Sequence, residues 1–146
     1  MVFQWRARFD PRWQWGYVDE VDLERAQESL KAAQLCLRDG LMNSAASRAY
    51  YAIFQAAQVA LTLAGFPEGE WSHQGLRASF ARELIHRRKM YPAAFREYLS
   101  YGFGVRRAAD YGLSGVSRKI AQRVVNRAAA FVAAVEEQKR HEAPSE

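Results

Sequence analysis

Residues 42–64 read MNSAASRAYYAIFQAAQVALTLA. Within this stretch Ala46, Tyr50, Ile53, Ala57, Leu61 and Ala64 recur three or four places apart. That spacing lines side chains along one face of an α-helix. Asn43 or Ser44 is expected to cap the start, because a short polar side chain can accept a bond from one of the free first-turn amides. Gly65-Phe66-Pro67 ends the run, since glycine takes the left-handed turn after a helix and proline cannot continue one. The alanines leave little bulk on the inner face, so neighbouring helices can come close.

The same period governs the chain on both sides. Upstream, Leu23, Ala26, Leu30, Ala33 and Leu37 predict a helix beginning near Asp19 to Asp22 and stopping at Asp39-Gly40. Acidic residues at its start suit the positive end of the helix dipole. Downstream, a helix starting near Ser72 carries Leu76, Phe80 and Leu84 and runs out in His86-Arg87-Arg88-Lys89. Pro92 suits the first turn of a fourth helix, which carries Phe95, Leu99 and Phe103 and ends at Gly112. Ser114 is the expected cap of a fifth, with Ile120, Val124, Ala128, Phe131 and Val135 inside and fraying from about Lys139.

Residues 1–18 follow another rule. Phe3, Trp5, Ala7 and Phe9 alternate with Gln4, Arg6, Arg8 and Asp10, and Trp13, Trp15 and Tyr17 continue past Pro11. A period of two predicts an extended aromatic arm, which can cover its own core, stack on bases or exchange in a dimer. The expected architecture is therefore all-α. It is an up-and-down bundle of four to five helices over 19–139, with an N-terminal arm over 1–18 and a frayed tail over 140–146.

Composition narrows the function classes. A chain of 146 residues, 49% of them hydrophobic, is expected to fold as one domain with a real core. The single cysteine, Cys36, sits in a helical pattern and fits a reducing compartment. No apolar run approaches the roughly 18–20 residues of a membrane span. The first residues lack the apolar segment of a secretory signal, so a cytoplasmic location is expected. The net charge is +5, and most of the excess lies after residue 40, which permits a nucleic-acid or acidic partner.

Several chemistries find no support. His73, His86 and His141 lack metal-ligand spacing, so neither a metal nor a cofactor is expected. Gly102-x-Gly104 follows no strand and makes no phosphate loop. No serine sits in a nucleophile elbow, and the connection through Tyr91-Pro92 does not suit a helix-turn-helix reader.

One cluster stands out. Continuing the stripe of Phe95, Leu99 and Phe103 places Arg106 and then Asp110 on the core-facing side. A guanidinium there loses water and needs a partner, and Asp110, one turn on, can be that partner. The pair is either a structural clasp or a site. Arg107 and Tyr111 lie beside it at their own one-turn spacing, and two guanidiniums with a phenol suit phosphate. His73 and Arg77, one turn apart, and Arg48, beside Tyr50 and Tyr51, can extend that surface or remain solvated.

Three motifs in order carry a resemblance. Ser47-Arg48-Ala49-Tyr50-Tyr51-Ala52-Ile53-Phe54, Ser72-His73-Gln74-Gly75-Leu76, and Arg106 through Asp110-Tyr111 are similar to the conserved segments of HEPN domains. Together they cover roughly residues 20–138, and the matching subgroup is the small single-domain HEPN proteins often paired with a minimal nucleotidyltransferase. The resemblance implies a helical bundle that commonly dimerises, association with RNA or a nucleotide, and a toxin–antitoxin-like pairing with a nucleotidyltransferase. Many relatives are metal-independent ribonucleases with an R-x(4–6)-H motif across a dimer groove. Here the place five after Arg106 is Tyr111, not histidine. A free phenol has a pKa of about 10 against about 6.5 for imidazole, which makes it a poor general base near neutral pH.

The expected function follows from these residues. Arg106, Asp110 and Tyr111 form the centre, and Arg107, His73, Arg77 and Arg48 form an RNA- or nucleotide-binding surround. A non-catalytic interaction module and a metal-independent ribonuclease stay open as alternatives.

Overall fold

The structure, a computed structural model, describes residues 22–66 and 70–142. They form α1 (Glu24–Arg38), α2 (Met42–Leu63), α3 (His73–Ser79), α4 (Ala94–Tyr111) and α5 (Arg118–Glu142). No strand occurs among the described residues, and the all-α bundle expected from the periodicity is what the chain forms. The aromatic arm expected over 1–18 lies outside the described residues.

α2 is the central helix, flanked by α1, α4 and α5. The predicted stripe from Ala46 to Leu61 is buried, and so is a second stripe of Ala45, Ala49, Ala52, Ala56 and Ala60. A helix buried around most of its girth is a core helix rather than an amphipathic surface one. Methyl side chains make this possible, because axes can then approach at the short end of the usual range, about 8 Å. At one end of the bundle an aromatic knot locks the later helices together. Phe131 of α5 stands 4.6 Å from Phe95 of α4 and 5.2 Å from Phe80, ring centre to ring centre.

The third helix departs from expectation. After Ser79 it widens into a π-helix over Phe80–Arg87, with the Arg88 amide donating to the Glu83 carbonyl at 3.2 Å, five residues back. The wider turn buries Phe80, Ala81, Glu83, Leu84 and Ile85 together. Glu83 is tolerated there because Arg87 and Arg82 reach it at 2.8 and 3.1 Å.

The caps also differ. α2 begins without a side-chain cap. Asn43 instead uses its Oδ1 to accept from the Val116 amide at 2.9 Å, which ties the α4–α5 loop to the start of α2. Gly115 makes that loop possible, since its φ of +76° is strained for other residues and its Cα faces Asn43. Ser117, not Ser114, caps α5 by accepting from Ile120 N at 3.2 Å. α5 stays helical past Lys139, through Glu142. The expected start near Ser72 holds, because its Oγ accepts from Gly75 N at 2.9 Å. Among the described residues no helix is long and apolar enough to cross a membrane.

Candidate functional site

α2, α3 and α4 meet around Tyr50. The approach of α4 depends on Gly102, which is buried. A Cβ there would stand 3.3 Å from Tyr50 Cδ1 and 3.6 Å from Ile53 Cδ1. A larger residue would push the helices apart and draw the next turn of α4 away from α2.

That next turn carries Arg106. Its side chain is 20% exposed and that of Asp110 is 31% exposed, with Nε and Oδ2 3.3 Å apart. The half-buried pair anticipated from the period is therefore present. It is loosely made, because Nε is buried and its N–H is not aligned for a hydrogen bond. Ser47 of α2 adds a contact to the same Asp110 oxygen at 3.4 Å. The Arg106 guanidinium lies 5.3 Å from the centre of the Tyr51 ring and 5.9 Å from that of Tyr50. Arg48 lies 4.8 Å from the same Tyr51 ring, so one phenol ring supports two cations through its π face.

On the other side of Tyr50, its hydroxyl lies 2.9 Å from His73 Nδ1. The imidazole stacks on Phe103 at 3.8 Å with 14° between the planes. Burial, and after it the Arg77 guanidinium, holds the His73 pKa below its ordinary value. Burial pushes the Tyr50 phenol far above its ordinary value, with Arg106 pulling only partly the other way and Tyr51 adding to the rise. Both groups are therefore neutral near pH 7.

Asp110, paired with Arg106, lines a groove of about 710 Å³. α1 contributes Cys36 to it, α2 contributes Asn43, Ser47 and Arg48, and α4 contributes Asp110 and Tyr111. Tyr111 is 73% exposed. Of the residues singled out from sequence, Arg48, Asp110 and Tyr111 thus share one groove, with Arg106 behind Asp110. His73 and Arg107 do not line this groove; His73 sits against Tyr50 and Phe103, and Arg107 lies 6.0 Å from the Phe103 ring. Arg77 donates to Ser100 Oγ at 2.8 Å while its charge still acts on His73. No group of His, Cys, Asp and Glu that could hold a metal occurs among the described residues.

Sequence reasoning named Tyr51 only beside Arg48 and missed Ser47, Phe103 and Gly102 as parts of the site. A signal existed for Ser47, because it lies one helical turn from Tyr51 and the two bracket Arg48. Phe103 read as core, and only the tertiary structure sets His73 against it.

The chain matches the family described as HEPN domain over residues 20–138. A UPF0332 protein of Thermotoga maritima is 33% identical over 88 residues, which is 60% of this chain and 64% of that relative. The match therefore spans less than two thirds of the relative's length.

Proposed function

The chain belongs to the HEPN family, and from that premise we propose that it is the RNA- or nucleotide-associated half of a toxin–antitoxin-like pair with a nucleotidyltransferase. One observation carries the reading. Two guanidiniums, Arg48 and Arg106, rest on the Tyr51 ring beside an open groove whose lining carries a single carboxylate, Asp110. The local excess is cationic, and arginine on an aromatic face is suited to phosphate and to stacked bases. In this reading Arg106 binds a phosphate, Asp110 orients the guanidinium and Tyr111 lines the groove. Arg48, Arg107, His73 and Arg77 extend the surface.

The protein works in the cytoplasm, and a homodimer fits the surface around the groove. Leu35, Leu41 and Leu113, at 40%, 55% and 106% exposure, lie at the same end of the bundle as Tyr111. Those leucines also favour a second reading, a module that docks a partner protein without binding RNA.

The test is a metal-free assay in EDTA with single-stranded RNA, comparing wild type with Arg106→Ala. RNA retention by wild type and its loss in the variant is the expected result. Cleaved products ending in 2′,3′-cyclic phosphate would add ribonuclease activity, with attack by the ribose 2′-hydroxyl. Wild type that neither binds nor cleaves RNA would leave the docking module as the better account.

A further inference from the structure

His73 is held by two aromatic rings, and each of those rings carries an arginine. Tyr50 offers its hydroxyl to Nδ1 at 2.9 Å and has Arg106 at 5.9 Å from its centre. Phe103 stacks on the imidazole at 3.8 Å and has Arg107 at 6.0 Å. The stack fixes the plane of the imidazole and the hydrogen bond fixes its rotation.

A phenol and a neutral imidazole can share a hydrogen bond in two directions. Here one is excluded. Tyr50 is 3% exposed, and its hydroxyl has no other partner among the described residues. A buried O–H left without an acceptor costs about 1–3 kcal/mol, so Tyr50 donates and Nδ1 accepts. The proton of the neutral ring then sits on Nε2. No group of the described residues bonds Nε2, and it is not among the buried unpartnered atoms. It therefore reaches solvent.

We infer that Tyr50 is a positioning residue that locks His73 as the Nε2–H tautomer, a neutral donor for a phosphoryl oxygen of an RNA strand held at Arg106. The inference rests on the RNA reading given above. A phosphodiester carries one negative charge, which the arginines meet, and the imidazole adds direction rather than further charge. In this form His73 presents no outward lone pair, so it donates to the phosphate instead of acting as a base. The charged and titratable groups around it are Arg77 on its own helix, Tyr50 from α2 with Arg106 behind it, and Arg107 from α4 across Phe103. No carboxylate of the described residues bonds it.

Two-bond proton–nitrogen spectra of the ¹⁵N-labelled full chain test the lock directly. Wild type should show an unprotonated Nδ1 and a protonated Nε2 at neutral pH. Tyr50→Phe should lose that preference, and its His73 midpoint should rise, because the bond that favours the neutral ring is gone. In parallel, affinity for a short oligouridylate should fall about three- to tenfold in His73→Leu, the usual worth of one hydrogen bond. A wild-type His73 protonated on Nδ1 overturns the inference, as does His73→Leu binding the oligomer like wild type. Wild type that fails to bind the oligomer at low salt instead refutes the RNA reading, and this ligand assignment falls with it.

Discussion

Arg106→Met separates a clasp from a phosphate site, because it keeps the apolar stem and removes the charge. At 3.3 Å from Asp110 the gross attraction is about 5 kcal/mol at an effective dielectric of about 20. Most of it is offset by the water both groups give up, and side chains 20% and 31% exposed still feel solvent. The misaligned Nε–H lowers it further, so a net value of about 1 kcal/mol is reasonable. The contacts with Tyr51 and Tyr50, at 5.3 and 5.9 Å, add about 0.5 kcal/mol each at such partly exposed positions. The expected loss of stability is thus about 2 kcal/mol, read as a lower urea midpoint at unchanged slope. RNA binding should respond separately. Losing one phosphate contact on a single strand should flatten the salt dependence of affinity by about 0.7 in log–log slope. Asp110→Asn should also weaken stability but leave RNA affinity equal or higher, because the carboxylate competes with phosphate for the same guanidinium. If Arg106→Met costs the stability and leaves affinity and salt slope untouched, the pair is only a clasp.

Three further outcomes follow from particular contacts. Gly102→Ala gains about 1 kcal/mol of helix propensity but sets a Cβ 3.3 Å from Tyr50 Cδ1. Tyr50 is already pinned by His73 and Phe103, so the crowding should cost about 1–3 kcal/mol and lower the urea midpoint; a raised midpoint would show that Tyr50 yields. Glu83, whose pKa is lowered by its bond from Arg82 and then by Arg87 despite burial, stabilises the fold above its ordinary value of 4.5. That contribution fades as pH falls below about 4.5 through its lower folded value. Glu83→Gln should therefore flatten the acid side of the pH–stability curve, and an unchanged acid limb would refute this. Leu41→Ser with Leu113→Ser should alter monomer stability by no more than about 0.5 kcal/mol, since both side chains are exposed. If the patch is a self-association face, sedimentation should show the pair of substitutions shifting the protein toward monomer, whereas an unchanged mass would remove the patch from the interface.

The sequence by itself determined the helices and their inner faces. The three–four spacing from Leu23 to Leu37, Ala46 to Leu61 and Val124 to Val135 is a local property, and those residues are buried as it requires, except Leu30, which is only partly buried. It also placed Arg106 and Asp110 one turn apart at the edge of the core, because both lie on one helix. What it could not supply was any relation between helices. The second alanine stripe of α2 is buried because three helices surround it, and no single-helix period signals how many neighbours a face will meet. The π-helix after Ser79 arises where Phe80, Leu84, Ile85 and the Arg-held Glu83 must all turn inward together, a demand of packing rather than of propensity. Asn43 and Ser117 took roles that Ser114 and a local cap had seemed to fill, since the α4–α5 loop folds back on α2. The setting of His73 was decided the same way. Residues 50, 73 and 103 are far apart in the chain, and only the close approach of α4 to α2 at Gly102 brings the phenol, the imidazole and the phenyl ring together.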